Sequence, residues 1–178
     1  MDFNYSNPKP IISRKSVASN VPIVKQVAWI SIIPQLAILF LIGLIWYLCG
    51  AENPVFPTAA TYLGLGFMLR NIVAKDHRRG MQLVKKPAYM EAIPFFESSY
   101  QYFTANAWVD KYRYLTLLSS SGMCYREMAL CNIAFCYSQI GEGQKARAYY
   151  QRVLEVYPNN GLAQTALRMM ESVEKQAE

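Results

Sequence analysis

With 178 residues and a formal net charge of +6, the chain has room for one modest domain and a short additional element. Its basic residues flank two apolar runs, a placement that argues against a nucleic-acid surface and for anionic lipid headgroups. Cys49, Cys124, Cys131 and Cys136 lack both paired CxxC spacing and the pattern of a secreted disulfide framework. Zinc and disulfide scaffolds are thereby set aside, and the thiols read as reduced packing residues.

Residues 1–26 hold Pro8, Pro10 and Pro22 among Ser, Asn and scattered positive charge, the composition of an extended basic arm. Residues 27–74 follow as two apolar runs. From Lys25 to Arg70 no Lys or Arg intervenes, and Glu52 is the only charge. The first run, Val27 to Cys49, starts late for a cleavable signal and has about the 20 apolar residues a membrane span needs. Pro34 predicts a kink, and Gln35 is its one strongly polar residue. The second run, Pro54 to Ala74, contains Arg70 near its end and Gly64 and Gly66 for close helix approach. Gln35, Gly64 and Gly66 are the expected intramembrane helix contacts. Lys9, Arg14, Lys15 and Lys25 precede the hairpin, and Lys75, Arg78, Arg79, Lys85 and Lys86 follow it. The positive-inside rule then predicts a two-pass integral membrane protein with both termini cytoplasmic, in a bacterial inner membrane.

Residues 75–178 carry amphipathic helical periodicity. Lys75 to Lys85 and Tyr89 to Phe103 predict two helices, with Gly80 at a packing position and Pro94 breaking the pattern of the second. His77, the only histidine, lies among cations and reads as solvated. Asn106 to Leu118 predicts another helix, ended by Ser119, Ser120, Ser121 and Gly122. Tyrosine is abundant, with thirteen in the chain, and is dense from Tyr89 to Tyr125. These aromatic residues fit either plain packing or an interface.

From Glu127 to Asn160 the spacing is sharper. Leu130, Ile133, Ala134 and Tyr137 share one helical face; Gly141 and Gly143 break the chain; Ala146, Tyr150 and Val153 form the facing stripe; Pro158 closes the unit. This resembles a tetratricopeptide repeat (TPR), whose 34-residue period carries such residues at these positions. Residues 75–104 resemble a degenerate earlier unit. Residues 162–175, with Leu162, Ala166, Leu167, Met170 and Val173 on one side, resemble a capping helix behind the Asn159–Gly161 turn.

The fold class expected is therefore all-α: a transmembrane hairpin followed by a small TPR-like α-solenoid. The resemblance implies a protein partner, bound along the first helix of the repeat by Met128, Cys131, Asn132, Phe135, Ser138 and Gln139. That set is apolar to neutral, which suits an apolar or helical ligand. No nucleophile–base pattern, Walker loop, HExxH or GxSxG occurs, so no enzyme activity, no cofactor, no metal and no small-molecule substrate is expected. The implied role is a membrane-anchored adaptor in assembly or recruitment of a membrane complex. The alternatives are an accessory structural subunit of such a complex or a component of a membrane enzyme or transporter.

Overall fold

The computed structural model describes residues 31–177, so the basic arm and the start of the first apolar run lie outside the described residues. Those described are all-helical. The order is α1 (Ile32–Leu48), α2 (Val55–Ile72), α3 (Lys75–Lys85), α4 (Tyr89–Ala105), α5 (Ala107–Lys111), α6 (Arg113–Thr116), α7 (Tyr125–Gln139), α8 (Gly143–Val156) and α9 (Gly161–Ala177).

α1 and α2 form an antiparallel hairpin turned at Gly50, whose φ of +81° suits a residue without a Cβ. Pro34 sits in the first turn of α1, where its missing N–H is harmless, so no mid-helix kink is needed. Trp46 Nε1 donates to Thr61 Oγ1 at 3.1 Å across the pair. The close approach lies at Gly43, where a Cβ would stand 3.4 Å from Thr58 Oγ1.

The expected transmembrane hairpin does not stand. Among the described residues no helix is long and apolar enough to cross a membrane. α1 has 17 residues, about 26 Å at 1.5 Å per residue against the ~30 Å of a bilayer core. α2 reaches 18 residues but includes Thr58, Thr61, Arg70 and Asn71. The expected two-pass topology with cytoplasmic termini falls with this. The intramembrane contacts are also replaced. Gly64 faces open space, Gly66 packs against Leu118 and Arg70, and Gln35 is half-buried on α1.

The remaining helices build the core. α3 and α4 pack as one antiparallel pair, α7 and α8 as a second; α4 lies against α7, and α9 against α8. Gly80 allows the first pair to close, because a Cβ there would meet the Phe96 ring at 2.8 Å. Pro94 is accommodated because it is exposed, as is Met90, whose carbonyl it leaves without a helical donor. Leu130, Cys131, Ala134, Tyr150, Val153 and Ala163 form the core between α7, α8 and α9. The expected helix over 106–118 is instead two short ones, α5 and α6, with the chain reversing at Leu118 (φ +47°). Asn160 starts α9, its Oδ1 accepting from the Ala163 amide at 2.8 Å.

Two glycines give opposite expectations. Gly80→Ala should lower stability by about 1–3 kcal/mol through overpacking against Phe96. Gly64→Ala, with nothing within 4 Å, should be neutral or raise it by up to about 1 kcal/mol. Urea unfolding of the two variants checks this; equal effects would show that Gly80 has no packing role.

Candidate functional site

The expected partner-facing residues lie on α7, so the position of that helix sets the site. Its start is fixed from outside. Asp110, fully buried on α5, accepts from the Tyr125 amide at 2.7 Å through Oδ1. Its Oδ2 accepts from the Arg126 amide at 3.2 Å and from Arg126 Nε at 3.1 Å. A carboxylate on the unpaired amides of a helix N-terminus gains both hydrogen bonds and the favourable dipole. Arg113 secures the same insertion, donating to the carbonyls of Asp110, Ser121 and Gly122 and to Tyr114 Oη. From α7 the network continues outward. Glu127 accepts from the Cys124 amide at 3.4 Å and from Asn160 Nδ2 at 2.8 Å, tying the start of α7 to the start of α9.

Behind α7 sits His77, which is buried and not solvated as its charged neighbours in sequence suggest. α3 turns this side chain toward α4 and α7, edge-on to the rings of Phe96 and Tyr125, with Ser99 Oγ 3.4 Å from Nδ1. Burial pushes its pKa down to about 4, against the opposing pull of the Asp110 carboxylate.

The groove residues divide. Cys131 is inside the core between α7 and α8, where Asn160 Nδ2 lies 3.6 Å from its sulfur. Met128, Asn132 and Phe135 are half-buried. Met128 meets Ser121 Oγ at 3.8 Å, Asn132 meets Met81 of α3 at 3.5 Å, and Phe135 stands edge-on to Tyr89 of α4. Ser138 donates to the Phe135 carbonyl, and Gln139 is exposed. Much of this side of α7 is thus covered by the chain itself. The packing set lies as follows: Leu130, Ile133, Ala134, Ala146, Tyr150 and Val153 are buried, Tyr137 stacks on Tyr149, and Pro158 is exposed. Burial pushes the thiols of Cys131 and Cys136 up to about 12, and raises that of Cys124, so all three stay protonated at neutral pH.

A second surface lies on the hairpin. Sixteen of the twenty-four exposed large apolar side chains among the described residues belong to α1 and α2, far beyond the scattered exposure usual for a protein surface. Leu36, Leu39, Phe40, Leu44 and Val55 line an open groove of about 680 Å³ there. Asp110, Arg113 and the buried setting of His77 escape sequence reasoning because no local spacing signals them. Asp110 caps a helix that begins fifteen residues later, across an irregular loop.

With this geometry established, the tetratricopeptide repeat family model matches residues 127–160, which spans most of α7 and all of α8. No curated protein and no solved structure matches the chain. The chain contains a tetratricopeptide repeat, a unit that binds proteins.

Two predictions follow from the buried polar groups. Asp110→Ala strands two amides and the Arg126 charge; since Arg126 remains partly hydrated, the loss should be roughly 2–4 kcal/mol in denaturant unfolding. A change under 0.5 kcal/mol, within the range of an ordinary surface substitution, would count against the anchor. For His77 the folded pKa lies below the unfolded value of 6.5. Between about pH 6.5 and 4 the unfolded chain therefore holds the extra proton, and stability falls as pH falls. Relative to wild type, His77→Phe should flatten this window by roughly 3 kcal/mol between pH 7.5 and 4. Parallel pH slopes for the two proteins would contradict it.

Proposed function

We propose that this protein is a TPR-based adaptor that recruits a protein partner during assembly of a larger complex, and that it binds rather than catalyses. The observation that carries the reading is the repeat at residues 127–160. In this reading α3 and α4 act as a degenerate second unit stacked on the first. The partner meets the open carboxyl-terminal end of α7 that carries Ser138 and Gln139, while Met128, Asn132 and Phe135 are partly covered by the chain itself and Cys131 takes no part because it is core. The neutral character of that end suits an apolar or helical segment. Cys131 and Cys136 are buried in the core, which suits packing over nucleophilic chemistry at those two thiols.

One observation favours a second reading, an accessory subunit held permanently in its complex. The sixteen exposed apolar side chains of α1 and α2 are costly to leave in water, at about 25 cal/mol per Å².

A photo-crosslinking residue in place of Gln139 separates the outcomes in cells. A discrete adduct to one protein, competed by excess unlabelled chain and absent when the crosslinker replaces Gln151 on α8, is the expected result. The same adducts at both positions, or none at Gln139, would sink the adaptor reading. An adduct that resists exchange and persists at fixed stoichiometry through purification would select the subunit reading.

A further inference from the structure

Where α2 turns into α3, two arginines converge on one cleft. Arg70, in the last turn of α2, and Arg78, on α3, line a cavity of about 300 Å³ together with Phe67. The Arg78 guanidinium lies over the Phe67 ring at 5.7 Å. Arg70 donates through Nε to the Gly66 carbonyl at 2.9 Å, which fixes its stem and leaves both Nη groups available. Among the described residues neither arginine forms an ion pair.

Three other arginines show how this chain treats a guanidinium that holds the fold. Arg113 is saturated by carbonyls and Tyr114, Arg126 is paired with Asp110, and Arg147 with Glu174. Arg152, by contrast, lies over the Tyr100 ring and Arg168 donates to the Gln164 carbonyl, neither in an ion pair among the described residues. Two guanidiniums lining one cleft, with Lys75 and Arg79 nearby in sequence against the single carboxylate of Asp76, repel one another unless an anion lies between them. Their planar forks match an oxyanion in two-point contact. The cleft carries apolar surface of its own, since Phe67, which lines it, is strongly exposed. A ligand that fills it therefore carries an oxyanion next to an apolar group.

We infer that Arg70 and Arg78 form a binding site for a carboxylate presented beside an apolar side chain of a protein partner. This rests on the adaptor reading for the source of the carboxylate. The site itself uses only the two forks and the ring. A free inorganic anion satisfies the forks and leaves the exposed remainder of the Phe67 ring in water, which is why a protein carboxylate beside an apolar group suits the cleft better.

The test is an NMR titration of the arginine Nε–Hε signals of the full chain with three probes. N-acetylphenylalanine carries a carboxylate and a ring, N-acetylphenylalaninamide the ring alone, and inorganic phosphate the charge alone. The expected result is a saturable shift of Arg70 and Arg78 with N-acetylphenylalanine in the millimolar range, at least about threefold weaker with phosphate, and none with the amide. Arg70→Gln or Arg78→Gln should weaken it about tenfold. Arg70→Lys and Arg78→Lys, which keep the charge and lose the fork, should weaken it less; Arg79→Gln should leave it unchanged. Absence of a saturable shift, indifference to Arg70→Gln and Arg78→Gln, or tighter binding of phosphate than of N-acetylphenylalanine would overturn the assignment. No partner is needed for this titration, so its failure leaves the crosslinking result at Gln139 standing, and the converse holds as well.

Discussion

The carboxylate of Asp110 holds the start of α7, and most of the tertiary structure depends on α7. That helix packs on α3, α4 and α8, and its first turn connects through Glu127 and Asn160 to the start of α9. A helix N-terminus leaves four amides without intrahelical partners, and here two of them are met by a side chain fifteen and sixteen residues upstream. The short helices α5 and α6 therefore clamp the two helical pairs in position, and Arg113 holds the loop that makes the clamp possible. The repeat at residues 127–160 begins just after this junction and depends on a segment outside its own boundary.

The clamp also shapes the surface available for binding. By setting α7 against α3 and α4, it brings Met81 onto Asn132 and Tyr89 onto Phe135. A long array of repeats keeps the corresponding side of each first helix open as a continuous concave surface. Here two helical pairs fill much of that space themselves. What remains open is the carboxyl-terminal end of α7, the apolar hairpin and the arginine cleft at the base of α2.

Helix positions were largely legible in the sequence, because they depend on periodicity and on Gly and Pro punctuation. α3 runs over the expected Lys75 to Lys85, and Gly80 faces a large ring as a packing glycine should. The core stripe of Ala146, Tyr150 and Val153 could likewise be read from spacing alone. What could not be read depends on contacts between residues distant in sequence. His77 follows a charged residue and precedes two more, and only the packing of α3 on α4 buries it. Cys131 occupies a position that faces a partner in a longer array, but Asn160 and Tyr150 enclose it here. The apolar runs misled for a different reason. Composition predicted spans, whereas among the described residues one helix is too short and the other too polar.

The hairpin has a consequence for how the cell must handle this chain. A surface with sixteen large apolar groups in contact with water adheres to any similar surface it meets, including that of another unfinished chain. If the protein is held in a complex as an accessory subunit, its safe abundance is set by the supply of the partner that covers α1 and α2, and not by its own folding stability. Copies made in excess of that supply become orphans, open to aggregation or to proteolytic clearance however well α3 to α9 are packed.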